Sequence, residues 1–442
     1  MEEIMHYMWR HKIFPLKELS TTDGLRVEVI NGGCHNDDAG PDFLGATLKI
    51  DGTIWTGNVE IHVRASDWFV HHHEKNPAYD NIILHVVGEE DVKVCRRDGS
   101  PIPQLVLRIP PSLLSGCKQL LSLPENPRCG AIIPNIPQII VHSWMSALYV
   151  ERLEMRTKQI FERLDMCGKD WEHTLFITVA RNFGFGINGD AFEVWGKSVP
   201  LSAIAKHRDN LFQIEAIFFG QSGLLNKEMI SEVYMPDIPS DTYYQRLKDE
   251  YAYLRQKFSL SPISSSNWKF LRLRPQNFPH IRLSQLAMLV YEQHFSMSHI
   301  INAKDVESLY SVLDTGVSGY WKTHYTFAST ESAAIDKCLS KASKDLIIIN
   351  SIVPILFAYG KYKGKEDLCD KAIDILEHLK PERNRYISEW EAAGVKCENA
   401  ADSQALIQLT RQYCQTHDCL RCRFGYEFIK NTPGFLKEDD DK

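Results

Sequence analysis

No stretch of the 442 residues approaches the roughly eighteen consecutive apolar positions that a membrane-spanning helix needs. The opening MEEIMHYMWRHKIF carries two glutamates and internal charges where a secretory leader has a basic end followed by an apolar run. The expectation is a cytoplasmic protein with no membrane partner. A disulfide framework is also missing: the eleven cysteines are odd in number and scattered through a large chain, which leaves reduced thiols or a metal site. There is no excess of positive charge, and a net charge of -7 disfavours bulk adhesion to nucleic acid while leaving room for a local basic groove. The glycine-rich NFGFGINGDAFEVWG lacks the G-K-[ST] step of a phosphate loop and reads as a tight turn opening a helix at Asp190. No repeat of fixed period occurs, and the acidic end KEDDDK is the one biased segment.

What is present is enough apolar material to fold, 44% hydrophobic against 24% charged residues, in a chain long enough for two or three cores. The pattern changes near residue 140. Before it come short β-rich runs separated by turns: LRVEVI, GATLKIDG, TIWTGNVEIHV, NIILHVVG and DVKVCRRDGSPIPQLVL. After it come amphipathic helical runs such as WMSALYVERLEMRTKQIFERL and DTYYQRLKDEYAYLRQKFSL. The proline-rich PENPRCGAIIPNIPQ is the expected boundary. The reading is an α+β chain: an α/β domain over 1–122, a linker over 123–138, and a larger all-α domain over 139–442 with a subdivision near 260.

The first domain reads α-β-β-β-α-β. The opening segment puts Ile4, Met8 and His11 on one helical side, and SDWFVHHHEKNPAYD supplies a crossover helix before the apolar, interior strand NIILHVV. Asp42 follows Pro41 at the start of the second strand, and Glu60 lies toward the end of the third, with an Asp51-Gly52 turn between them. Folding that hairpin brings the two carboxylates together, which favours a hard divalent ion, Mg2+ or Mn2+, between them. The plainer reading has Asp42 capping a turn after Gly40-Pro41 and Glu60 on an exposed edge. Asp37 and Asp38, in NDDAGP, read as turn formers.

Pro41-Asp42 followed by Glu60-Ile61-His62 on this element order resembles the PD-(D/E)XK nuclease superfamily. The resemblance implies a restriction-endonuclease-like domain in which Asp42 and Glu60 hold the metal, with help from Glu2 or Glu3 on the first helix. The departure is His62, where the superfamily usually has a lysine. Over nearly its full length the chain also resembles an uncharacterised bacterial protein family, through its NDDAGPDF, GNVEIH, SDW, ILHVV and YC-x4-C-x2-C elements.

Around this core, His62, His71, His73 and His85 have the chemistry of a zinc site, but histidines two apart do not share a helix face, so a helical SDWFVHHH would split His71 from His73. His62 and His85 are expected to face the carboxylates, with His71, His73, Asn36 and Asp38 lining the pocket. Near the other end, Cys414, Cys419 and Cys422 can converge on zinc or an iron-sulfur cluster, with Cys397 or His417 as the nearest fourth ligand. The nuclease resemblance implies instead an upstream cysteine, for which Cys34 fits. Lys269, Arg272, Arg274 and Arg282, interleaved with Trp268, Phe270, Phe278 and His280, suit either a strand of DNA or RNA or an interhelical corner. Three functions stay open: a metal-dependent nuclease, a nuclease-like binding or assembly module without catalysis, and a zinc-dependent hydrolase built on the histidines.

Overall fold

The computed structural model describes residues 1–14, 19–36, 39–123, 127–226, 241–292, 295–327 and 329–431. The fold is mixed α+β and divides into two units. The first comprises Met1–Trp144, Glu389–Val395 and the stretch from Leu409 onward; the second comprises Met145–Ser388 and Lys396–Gln408.

In the first unit, helix α1 (Glu2–His11) buries Ile4, Met5, Tyr7, Met8 and Trp9. The sheet follows with β1 (Val27–Asn31), β2 (Cys34–His35), β3 (Phe43–Ile50), β4 (Thr53–Arg64), β5 (Ile82–Glu89) and β6 (Gln104–Val106), in spatial order β1-β3-β4-β5-β6 with β2 pairing β3. The β3–β4 pair is a two-residue hairpin, Ile50 opposite Thr53. Asp51 at φ 47 and Gly52 at φ 83 adopt the left-handed conformations that such a turn demands, so the Asp-Gly pair suits it. Strand β5 lies between β4 and β6, parallel to both. Its IILHVV run is buried throughout, as an interior parallel strand requires.

The expected crossover helix is a single turn. Helix α2 (Asp67–Val70) is followed by two 3-10 turns, His73–Lys75 and Pro77–Tyr79. Helix propensity runs out in three consecutive histidines, and Asn76-Pro77 then forces extended backbone. Trp68 and Tyr79, both buried, pin this connection to the sheet.

The segment expected as a linker falls within this first unit. Helix α3 (Pro111–Ser122) packs against the helix Arg423–Lys430. His11 stacks on Tyr426 at 4.7 Å, and Trp390 donates from Nε1 to Thr410 Oγ1 at 2.8 Å. Periodicity within either stretch could not reveal that the late helices belong to the same unit as the early sheet.

The second unit is all helical around one core that runs from Leu153 to Ala401 without a break near 260. Helix Thr242–Phe258 starts where Asp241 caps it, accepting from the N–H groups of Tyr243 and Tyr244. The stretch Lys341–Lys363 is apolar and long enough to span a membrane by length and composition alone, but 61% of its most apolar window is buried in this unit, as in a core helix. His280 is fully buried among Phe219, Trp321 and Phe327. Burial pushes its pKa down to about 3. The folded state thus excludes a proton that the unfolded chain accepts below about pH 6.5. Its contribution is complete above that pH and is lost toward pH 3, by up to about 1.4 kcal/mol per pH unit. His280→Leu is expected to flatten this part of the stability profile, which urea unfolding between pH 7 and pH 4 would measure.

Candidate metal centre

Register places the carboxylates. Phe43 pairs with Val59, so Asp42, one residue before β3, stands across from Glu60. The two are interlocked: Asp42 donates its N–H to Glu60 Oε2 at 3.1 Å, and Asp42 Oδ2 accepts the Ile61 N–H at 2.9 Å. Asn36 supports the approach to Asp42 by donating its N–H to the Asp42 carbonyl at 2.8 Å and its Nδ2 to Pro41 O at 3.1 Å. Asp38 lies outside the described residues.

Alternation along β4 puts Glu60 and His62 on one face, and pairing of Glu60 with His85 adds the β5 histidine. Glu60, His62 and His85 are 3%, 2% and 0% exposed. His71 and His73, expected to line the pocket but to be split if the segment were helical, lie beside them together. The reason is His72, whose φ of 60 reverses the chain after α2 and turns both neighbours toward the strand. His62 Nε2 lies 3.1 Å from His71 Nδ1 and 3.6 Å from Glu60 Oε1, and His73 Nε2 lies 3.2 Å from the same Glu60 oxygen. The ligand atoms of His62, His71 and His73 all fall within 4.8 Å of one another. His73 stacks on Tyr79 at 3.8 Å and meets Trp68 edge-on at 5.3 Å.

The protonation pattern suits a cation. Burial, then His85, His73 and His71, push His62 down to about 3; burial likewise lowers His73, and takes His85 to about 3. These imidazoles are neutral and keep lone pairs to offer. Burial and the Asp42 charge push the Glu60 carboxyl up to about 9, so without a positive partner it holds a proton. His73 Nε2 is buried, with Glu60 Oε1 as its near polar neighbour. A divalent ion among Glu60 Oε1, His62 Nε2, His71 Nδ1 and His73 Nε2 would satisfy this donor set.

His85 orients the group. Its Nε2 lies 2.8 Å from His62 Nδ1, which leaves His62 Nε2 for the centre when Nδ1 carries the proton. His85→Phe preserves much of the packing and removes this partner. The expected result is a 10- to 100-fold loss of metal affinity, read by competition with a metal-sensitive dye.

Helix α1 contributes residues that the expectation placed differently. Glu3 is exposed and lines a separate cavity, whereas half-buried Glu2 lies close enough to feel Asp42, His6 and His71. Glu2 and His6 are four apart and share a face. His6 Nε2 is 3.3 Å from Asp42 Oδ2. Burial lowers the His6 pKa, but the Asp42 hydrogen bond and charge outweigh it, for a net rise. A Glu-x3-His spacing on the inner face was the available signal for His6. The cavity beside it, about 390 Å3, is lined by Glu3, His6, Arg10, His35 and Arg421 among others.

The remaining candidates lie elsewhere. Cys414, Cys419 and Cys422 line one cavity in the first unit together with Cys129, whereas Cys397 belongs to the second unit and Cys34 is exposed in β2. Arg282 is 6% exposed, donating to Gln285 and Asn277 over the Phe185 ring, and burial pushes it down to about 10. It is a buried arginine held by contacts inside the helical unit. Trp268 and His280 are buried as well and Phe270 and Phe278 are half-buried, while Lys269, Arg272 and Arg274 face solvent.

A family model described as "Protein of unknown function (DUF2851)" matches residues 2–385. No curated protein and no solved structure matches the chain.

Proposed function

The chain belongs to the DUF2851 family, and from that premise we propose that it is a metal-dependent hydrolase of phosphodiester bonds, with a divalent ion held by Asp42, Glu60, His62, His71 and His73. The observation that carries this reading is the gathering of the His62, His71 and His73 ligand atoms within 4.8 Å of one another, two of them, those of His62 and His73, beside a Glu60 oxygen, with Asp42 locked to that carboxylate through the backbone. Three nitrogen donors favour Mn2+ or Zn2+ over Mg2+, which prefers an all-oxygen shell. When bound, such an ion supplies Lewis acidity and a water of lowered pKa.

The phosphodiester part rests on the likeness of Pro41-Asp42 and Glu60-Ile61-His62 to the PD-(D/E)XK pattern, and on the cavity carrying Arg10 and Arg421 beside His6. Neutral His62 stands in the lysine position and cannot supply that residue's charge. His6 fills the gap: Asp42 favours its protonated form at the edge of that cavity, where it can neutralise a phosphate oxygen or give a proton to a leaving oxygen. His71, the exposed member of the trio, faces the route by which water enters.

The test is cleavage of labelled single- and double-stranded DNA and RNA by chelator-stripped protein reloaded with Mn2+, Zn2+ or Mg2+, beside Asp42→Asn. Turnover with Mn2+ or Zn2+ that disappears in the variant supports the reading. Folded, metal-loaded wild type that cuts none of these substrates sinks it. A zinc hydrolase acting on another ester or amide is the second reading, favoured by the burial of Trp268, His280 and Arg282. Arg272→Ala with Arg274→Ala separates the two. If the helical unit grips nucleic acid, the pair of changes lowers the salt dependence of binding by about one unit of slope for each phosphate no longer neutralised. An unchanged slope favours the second reading.

A further inference from the structure

Cys129, Cys414, Cys419 and Cys422 line a cavity of about 150 Å3 in the first unit. Cys129 sits in the turn before the 3-10 helix Gly130–Asn135, and Cys414 ends the π-turn Thr410–Cys414. Cys419 opens a 3-10 turn, and Cys422 caps the helix Arg423–Lys430. None is in a disulfide, and Cys129 and Cys422 are buried. Four thiols gathered in this way make a poor apolar core and a good set of soft ligands.

The surroundings are arranged for sulfur that carries charge. The backbone N–H groups of Gly425 and Phe424 favour the charged form of Cys422, and the Arg128 guanidinium favours that of Cys419. Gly425 must be glycine, because a Cβ there would stand 2.0 Å from the Cys419 carbonyl oxygen. The close approach of helix and turn that brings the two cysteines together depends on that missing atom.

Spacing decides which cation. A single zinc holds each sulfur at about 2.3 Å, which sets neighbouring sulfurs about 3.8 Å apart. Among the described residues, the group of three or more His, Cys, Asp or Glu ligand atoms within 4.8 Å of one another is the histidine trio, so no three of these sulfurs are that close. The open middle suits a polynuclear centre. We propose that Cys129, Cys414, Cys419 and Cys422 ligate a [4Fe–4S] cluster. Cys129 lies downstream of the whole sheet, so the ligand set is neither the upstream Cys34 nor the sequence neighbour Cys397. Arg128 offsets part of the net negative charge that four thiolates leave on such a cluster. The cluster cross-links the chain after the sheet to the late helices of the same unit.

The test is iron, zinc and acid-labile sulfide analysis of the full-length protein purified without oxygen, with iron-edge X-ray absorption on the wild type. Sulfide is the decisive count, because iron in the histidine centre brings none. The expectation is about four iron and four sulfide per chain, with iron–sulfur and iron–iron distances in the absorption data. Both counts fall to near zero in Cys129→Ser and stay at wild-type values in Cys397→Ser and Cys34→Ser. Stoichiometric zinc without sulfide in the wild type overturns the cluster, as does full sulfide content in Cys129→Ser. The wild-type absorption data decide the matter even if the serine variant does not fold.

Discussion

Glu60→Gln is expected to cut metal-dependent hydrolysis at least about a hundredfold and to weaken metal binding by a similar factor, because it removes the charged oxygen on which His62 and His73 converge. The metal-free protein should respond in the opposite direction. Glu60 is 3% exposed, and its carboxyl is pushed up to about 9 by burial and the Asp42 charge. A carboxyl whose folded pKa lies above its unfolded value of about 4.5 gives stability below that pH and loses it as pH rises toward the folded value. Stripped wild type should therefore weaken between about pH 4.5 and pH 9, by up to about 1.4 kcal/mol per pH unit. The glutamine variant should lack that slope. Urea unfolding with chelator at pH 5, 7 and 9 measures the difference, and adding Mn2+ or Zn2+ should restore wild type alone. Parallel stability profiles for the two stripped proteins would show that Glu60 is not the strained group.

Trp68→Ala should be the most damaging change outside the ligands. Trp68 is fully buried and supports three rings at once: His73 at 5.3 Å, His85 at 5.4 Å and Tyr79 at 5.9 Å. Truncating a buried tryptophan costs about 3–5 kcal/mol through reduced burial and the cavity left behind. The second effect is geometric, since His73 would lose one wall and His85, which orients His62, would lose another. Thermal unfolding should fall markedly, and metal affinity should fall with it. Trp68→Phe, which keeps a ring, should recover more of the stability than of the affinity. Equal recovery of both would mean that Trp68 only fills space.

The sheet was legible because its signals are local. The Asp51-Gly52 pair marked the hairpin, alternation gave the faces of β3 and β4, and those two facts suffice to set Asp42 across from Glu60. The amphipathic run from residue 241 matched the helix Thr242–Phe258, and Asp190 fell in the first turn of Gly189–Ser198. Assignments that failed depend on packing or torsions that a residue string does not carry. His71 and His73 should have parted on a helix, but a left-handed His72 is a single-residue event with no periodicity. Between Glu2 and Glu3, both of which the sequence left open, the rotation of α1 puts Glu2 nearer Asp42, since a one-residue step on a helix turns a side chain by about 100°. Arg282 looked like a phosphate ligand because arginines and rings alternated, and only packing reveals that Gln285 and Asn277 already occupy it. The C-x4-C-x2-C spacing marked three cysteines, and nothing in sequence distance singles out Cys129, which lines the same cavity.

The first unit is discontinuous: its sheet lies within Met1–Trp144, while other parts begin at Glu389 and Leu409. On a ribosome adding about 5–20 residues per second, the sheet would emerge and wait on the order of tens of seconds for the segment that carries Cys414, Cys419 and Cys422. Throughout that interval α3 lacks the helix Arg423–Lys430 that it packs against, and Tyr7 and His11 lack Tyr426. Vectorial synthesis thus makes the first-translated unit the last to be completed. Truncation after about residue 400 should leave it prone to aggregation while the second unit still has nearly all of its core, which spans Leu153 to Ala401.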